Sequence, residues 1–232
     1  MTYFEPQYKR ELLSKHFLFA ALAGKDLDSI LAFSKDRRFS DGQIVFQKGD
    51  PGTSLMVLLR GRIRISAVSE DGREVVLNVI EPGQIMGEIA FLDGHQRSAD
   101  ATAVGDCVVM TIDRRDFIPF LERNPGIAVQ LLTVLCGRLR RTSEMVEDIA
   151  FLELPKRLCR LLIRLGSTYG KATPTGLRIE IKLSQKDLGN LIVASRESIN
   201  KQLRAFEEQG LISTDRGYIT VRRIKDMEEL AS

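Results

Sequence analysis

Gly87-Glu88-Ile89-Ala90-Phe91-Leu92-Asp93-Gly94-His95-Gln96-Arg97-Ser98-Ala99 is the stretch on which the reading of this chain turns. It lies between two β-branched runs, residues 74–80 and 99–104, and within it the β texture stops. Glu88 opens a short helical turn, where free backbone N–H groups favour an anion. Arg97 follows a turn and offers a forked, permanently charged donor set that suits phosphate. A carboxylate such as Glu88 can accept from sugar hydroxyls. A buried Glu and Arg at opposite ends of one loop therefore suit a cyclic ribose phosphate. A Glu88–Arg97 ion pair that merely closes the loop fits the same residues equally well. His95 reads as an exposed loop residue, although a histidine there could sense pH.

Working outward, residues 43–46, 54–59, 62–68, 74–80, 99–104 and 107–112 are β-branched and mostly alternating. Turn residues separate them: Lys48-Gly49-Asp50-Pro51-Gly52, Arg60-Gly61, Glu70-Asp71-Gly72, Pro82-Gly83 and Gly105-Asp106. Many short strands at regular spacing predict a jelly-roll-like β-roll or another barrel. Before them, residues 5–34 hold two short helical patterns. Leu12, His16, Phe17 and Phe19 precede a loop at Ala23–Gly24, and Asp26 is placed to cap a helix with Leu27, Ile30, Leu31 and Phe33. His16 has no acidic or thiol neighbour at ligand spacing and reads as a surface or packing residue.

After the strands, residues 114–123 form a short helical pattern, and Asn124-Pro125-Gly126 leads into a long one over 125–154. Its apolar seam is Ala128, Leu132, Leu135, Leu139, Thr142, Val146 and Ile149, a period near 3.5 that marks a coiled coil. A helix of that length spans about 45 Å, too long to bury within a small domain, so pairing with a second copy as a homodimer is expected. Thr142 is the odd residue. Its hydroxyl needs a partner in a dry seam, either the carbonyl one turn back or a ligand.

The remainder differs in charge. Residues 1–154 carry 19 Lys+Arg against 22 Asp+Glu, whereas 155–232 carry 15 against 9, a net of +6. A basic C-terminal third points to a separate polyanion-binding module. Pro155 marks a hinge. Helix 156–166, a polar loop 169–176, strand 177–183, helices 184–191 and 195–208, and a hairpin 211–214 with 218–221 spell a winged helix-turn-helix. The fold class expected is α+β, with a β-roll sensor domain over 1–124, a dimerisation helix over 125–154 and a DNA-binding domain over 155–232. Ser184 and Ser195 are N-cap candidates. The second helix begins Ser195-Arg196-Glu197-Ser198, which places its first turn at the major groove. Arg196 can read guanine O6 and N7, Glu197 can accept from cytosine N4, and Lys201 reaches a further base or phosphate. Ser184, Gln185, Lys186, Ser195 and Ser198 are the other DNA-contact candidates, and phosphate contacts among them position without specifying. Leu191, Ile199, Leu203 and Phe206 are assigned to the core.

Cys107, Cys136 and Cys159 are scattered, with no CxxC, which fits a reducing compartment rather than a disulfide framework or zinc site. The polar N-terminus is not a signal peptide and no apolar run is long enough to span a bilayer, so a soluble cytoplasmic protein is expected. There is no nucleophile–base pair by spacing, no HExxH and no Walker loop, so an enzyme is not expected.

Gly87-Glu88-Ile89-Ala90 followed by Arg97-Ser98-Ala99, in a β-roll before a long helix, resembles the phosphate-binding cassette of cyclic-nucleotide-binding domains. Ser195-Arg196-Glu197 resembles the recognition helix of the cyclic-AMP receptor protein (CRP/FNR) family, and the likeness runs from about Phe17 to Val221. The resemblance implies that Glu88 holds the ribose 2′-hydroxyl and that Arg97 and Ser98, with backbone amides near Gly87, Ile89 and Ala90, hold the cyclic phosphate. Thr142-Ser143-Glu144 matches the family's dimer-helix motif, so Thr142 would contact the base in its own subunit and Ser143 the base from the partner. It implies cAMP as the allosteric ligand, with cGMP possible, and a palindromic DNA operator with RNA polymerase as a further partner, touched near residues 169–175. An iron–sulfur sensor of the same fold would need a cysteine cluster absent here. A haem sensor, or a factor of this fold that acts without a ligand, would need no such cluster. Two residues depart from the pattern. Lys201 replaces an arginine, and Val193 stands at a turn where glycine is usual and where a β-branched residue at positive φ would be strained.

Overall fold

The computed structural model describes residues 5–15, 19, 22 and 24–231. His16, Phe17 and Ala23 lie outside them. The chain divides into two compact units, Met1–Leu139 and Arg140–Ser232.

The first unit opens with α1 (Pro6–Lys15) and α2 (Gly24–Phe33). Asp26 sits inside the first turn of α2 rather than capping it. The strands are β1 (Ser34–Phe39), β2 (Ile44–Phe46), β3 (Ser54–Val68), β4 (Glu74–Ile80), β5 (Ile85–Met86) and β6 (Asp100–Asp113), and they pair antiparallel in the order β1-β6-β3-β4, with β2 on β6 and β5 on β3. Helix α3 (Glu88–Asp93) fills the interval between β5 and β6. Helices α4 (Arg114–Arg123) and α5 (Pro125–Phe151) follow.

Alternation along β3 and β6 sends side chains to two cores. Met56, Leu58, Cys107 and Val109 join Phe39, Phe46 and Ile80 on one side. Leu55, Val57, Leu59, Met110 and Ile112 join Phe91, Phe117, Phe120, Ile127 and Leu131 on the other, under the helices. The β-roll is as expected, but β3 and β6 are each one long strand rather than two short ones. Gly61 (φ 86) and Gly105 (φ 71) bend the pair at a register shift without ending it. A side chain at Gly61 would run into Cys107 Sγ, 2.5 Å from its Cβ, so the two strands cross closely there.

The long helix ends at Phe151, and α6 (Leu154–Tyr169) restarts with Pro155 in its first turn, where the missing N–H costs nothing. The break therefore falls at Leu152–Glu153, and α6 runs three residues further than the sequence pattern predicts. The expected polar loop 169–176 is a hairpin, β7 (Gly170–Thr173) with β8 (Gly176–Ile179), and β8 is shorter than the strand expected over 177–183. Then come α7 (Gln185–Ile192), α8 (Arg196–Glu208), β9 (Ile212–Asp215) and β10 (Tyr218–Val221), with sheet order β7-β8-β10-β9. A final helix α9 (Ile224–Ala231), which the sequence pattern does not predict, buries Met227 against Cys159. Leu158, Leu162, Ile199, Leu203 and Phe206 are buried in this unit's own core, and Leu191 packs half-buried against it. The architecture is a β-roll followed by a winged helix-turn-helix.

Candidate ligand cassette and DNA interface

The cassette is built on a left-handed corner. Gly87 (φ 77) precedes α3, and Phe91 N–H closes the first turn onto Gly87 O at 3.2 Å. Gly87 has no room for a side chain: a Cβ would lie 2.3 Å from Arg97 Nη1. The far end of the loop is clamped to residues 49–52. Arg97 N–H donates to Asp50 O at 2.8 Å, Gly49 N–H donates to Arg97 O at 2.9 Å, and Pro51 bridges Gln96. Gly52 packs so tightly beneath α3 that a Cβ there would meet Ala90 Cβ at 2.3 Å.

Two buried charges stand in this frame, Glu88 at 1% exposure and Arg97 at 4%. They do not form an ion pair with each other. Arg97 donates through Nη1 to Gly87 O at 2.7 Å and through Nη2 to Ser54 O at 2.8 Å and Ser54 Oγ at 3.1 Å. Its guanidinium carbon lies 4.6 Å from the centre of the Phe46 ring. These partners are neutral, and burial pulls the Arg97 pKa below the ordinary arginine value, against the opposing fields of Glu88 and Asp50. Arg97 Nε and Glu88 Oε2 are buried with no hydrogen-bond partner. A cationic fork and a carboxylate oxygen with unused capacity suit a ligand bearing both phosphate and hydroxyl groups.

Glu88 does have a counter-ion, one that sequence reasoning missed. Arg138, at the middle of α5, pairs with Glu88 Oε1 and donates to Ile85 O. The two residues are 50 positions apart, so no motif spacing could have joined them. The other cassette candidates divide. Ala90 is buried under the loop, Ser98 is exposed at the rim, and Ile89 turns outward. His95 is exposed, as the sequence predicts. Thr142 and Ser143 lie on the exposed part of α5 that belongs to the second unit.

On α5, Ile127 and Leu131 face the β-roll core while Leu132, Leu139, Val146 and Ile149 are exposed. Ala128 and Leu135 of the same seam are half-buried. The helix thus carries a second apolar stripe along most of its length.

In the second unit, Ser184 caps α7 in a reciprocal box with Asp187, at 3.1 Å to Asp187 N–H and 2.9 Å from Ser184 N–H to Asp187 Oδ2. Ser195 caps α8 by accepting from Ser198 N–H at 3.0 Å. Between them Val193 adopts φ 56, ψ 56, so the turn keeps the left-handed corner with a β-branched residue in it. Ala194 N–H closes it onto Gly189 O at 2.9 Å, and a Cβ on Gly189 would sit 2.4 Å from Ala194 O. The glycine this turn cannot do without is Gly189. Arg196, Glu197, Lys201 and Lys186 are exposed, and Gln185 is half-buried with its side chain bonded to Asn200. Glu197 and Lys201 lie on the face of α8 away from the buried Ile199, Leu203 and Phe206, and Arg196 stands exposed at the helix's first position.

Family models match both halves of the chain: a cyclic nucleotide-binding domain over residues 36–124 and a Crp-like helix-turn-helix domain over 156–232. The CRP-like cAMP-activated global transcriptional regulator of Mycobacterium tuberculosis is 31% identical over 224 residues, covering 95% of this chain and 97% of that protein. The cyclic AMP receptor protein of Thermus thermophilus is 29% identical over 214 residues, 92% of this chain and 96% of that one. Among solved structures, the c-di-GMP responsive regulator CLP of Xanthomonas campestris superposes with a TM-score of 0.78 at 24% identity, over 86% of this chain and 99% of that one, a likeness of fold. With a nucleotide-type cassette in the β-roll, a capped reader helix later in the chain and relatives matched over nearly their whole length, the chain belongs to the CRP/FNR family of transcription regulators.

Proposed function

We propose that this chain is a sequence-specific DNA-binding regulator switched by a cyclic nucleotide, with cAMP as the effector. The observation that carries the proposal is the pair of buried, incompletely used charges in the cassette, Glu88 and Arg97. Arg97, Ser98 and the amides at Ile89 and Ala90 are assigned to the cyclic phosphate, and Glu88 to the ribose. Thr142 and Ser143 are assigned to the purine on the resemblance of their motif. The exposed stripe of α5 is assigned to a homodimer, which sets two reader helices on a palindromic operator about one helical turn apart. In the reader, Arg196 and Glu197 supply base contacts and Ser184, Lys186, Ser195 and Ser198 supply phosphate contacts.

Gating requires the effector to bind the DNA-competent state more tightly than the other. Arg138 offers a physical route, because it ties Glu88 to the long helix. Any change in what Glu88 accepts alters the load on that pair. The break at Leu152–Glu153 is where α5 hands over to the DNA-binding domain.

The decisive test is calorimetry of the purified protein with cAMP and cGMP, followed by an operator shift with each. Binding of cAMP at micromolar concentration with tightened DNA binding supports the proposal. Failure of both nucleotides to bind refutes the effector assignment. Operator affinity should fall steeply as salt rises, and a flat response would contradict the phosphate contacts.

A further inference from the structure

Asn200 plays no part in the base contacts assigned so far. At about 100° per residue it stands roughly 40° round from Arg196 and roughly 60° short of Glu197, one turn along α8. It therefore lies between the two within the reading stripe, half-buried, with its side chain bonded to α7. Its side chain is not loose. Gln185 Nε2 donates to Asn200 Oδ1 at 3.1 Å. Gln185 is the first residue of α7, behind the Ser184 cap, at the end of the helix that crosses the DNA backbone in this motif. The Asn200 NH2 group donates to no protein atom among the described residues.

We infer that Asn200 is a further base-reading residue whose polarity is set by Gln185: with its carbonyl oxygen occupied, it presents N–H donors to the major groove. This rests on the DNA-reading function proposed above. A free asparagine amide reads adenine through one donor and one acceptor. An amide held by its oxygen keeps the donor and loses much of its use as an acceptor. It selects base edges that carry acceptors, the N7 and O6 of guanine, the N7 of adenine or the O4 of thymine, and disfavours cytosine, whose major-groove edge shows only the N4 donor. Gln185 acts through Asn200 and is a positioning residue.

The test is selection from operators randomised across one half-site, using the full chain in the presence of cAMP. Wild type should show, at one position beside those read by Arg196 and Glu197, a roughly tenfold preference for acceptor-bearing bases over cytosine. Asn200→Ala should erase that preference and leave the Arg196 and Glu197 positions unchanged. Asn200→Asp should invert it, because a carboxylate accepts from Gln185 and offers its second oxygen to the groove. Gln185→Glu should invert it too. The glutamate cannot donate, so Asn200 must turn its NH2 group inward and its oxygen outward. That inversion by a residue not itself reading the base is what a merely structural contact would not produce. If Asn200→Ala and both charge variants leave every position unchanged, or weaken all positions alike, the inference is overturned while the reader stands. If wild type shows no base preference anywhere, the DNA-reading function fails and the inference fails with it.

Discussion

Two left-handed corners frame the two binding regions, and they are built differently. Gly87 opens the cassette helix at φ 77, and Val193 closes the first reader helix at φ 56. A side chain at Gly87 would strike Arg97, whereas Val193 is 41% exposed. The charges follow the same division. Glu88 and Arg97 are buried, while Arg196, Glu197 and Lys201 stand in solvent. A small anion has to be surrounded, so its site must hold charge inside a packed frame and tolerates little. A polymer has to be met at a surface, so the reader carries its charges on one face of a helix whose other face is a complete core. Val193 carries its strained backbone at the surface; a side chain at Gly87 would have to displace the buried Arg97 guanidinium.

This contrast predicts unequal sensitivities. The largest effect belongs to Arg97. Arg97→Ala removes the guanidinium fork from the buried end of the loop, and should weaken cyclic-nucleotide binding by about a hundredfold or more, roughly 3 kcal/mol, in calorimetry. Arg97→Lys should recover only part of it, because a point charge cannot reproduce two parallel donors. Arg196→Ala in the reader should leave nucleotide binding untouched and relax base preference at one operator position.

Next comes Arg138. Its removal strands the Glu88 carboxylate in the interior, and half-measures of solvation are unavailable at 1% exposure. Arg138→Ala should lower unfolding stability by roughly 2 kcal/mol, below the range for fully buried pairs because Arg138 itself is partly exposed. In a urea titration, combining it with Glu88→Gln should restore most of the loss. A double variant no better than the single one would mean that Arg138 acts through packing alone. The equivalent experiment on an exposed pair in the second unit, Arg223→Ala beside Asp226, should change stability by only about 0.5 kcal/mol.

Gly87→Ala ranks third. The left-handed backbone penalises any β-carbon by about 1–2 kcal/mol, and contact with Arg97 adds to it. Nucleotide affinity should fall by about tenfold. An affinity equal to wild type would show that the loop can reopen around a methyl group, and would remove the asymmetry between the two corners.

What could be read in advance follows the range of the interactions. Glu88 and Arg97 were legible because they sit close together in a single loop whose texture breaks from its flanking strands. Ser184, Ser195, Arg196 and Glu197 were legible because caps and helix starts are local. The partners that hold these two side chains were not. Arg138 reaches Glu88 across 50 residues, Ser54 reaches Arg97 across 43, and Gly52 matters only because α3 rests on it. Gly61 and Gly105 look like strand ends because glycine in a β run reads as a turn, but register across two long strands turned them into bends. Helix α9 had its signal in the spacing of Ile224, Met227 and Ala231, beyond Val221, where the likeness read from the sequence stops. Asn200 is a different case: it is visible on the reading stripe, yet only its bond to Gln185 gives it a role.

Val193 provides the smallest and sharpest test of the comparison. The sequence marks it as the awkward residue of the reader turn, and the structure keeps the awkward conformation rather than avoiding it. A β-branched residue at φ 56 costs on the order of 1–2 kcal/mol relative to one at ease there, and glycine recovers this while losing up to about 1 kcal/mol to its freer unfolded chain. Val193→Gly should therefore stabilise the protein by a fraction of a kcal/mol to about 1 kcal/mol, read as a higher urea midpoint with an unchanged slope. Operator affinity and base preference should stay within about twofold of wild type, because Gly189 and the Ala194 N–H, not the Val193 side chain, hold the turn. A stabilised variant with a changed operator preference would mean that the strain itself sets the angle between α7 and α8. The reader would then share the cassette's intolerance, and the distinction between a surrounded ligand and a surface-read polymer would no longer account for the two corners.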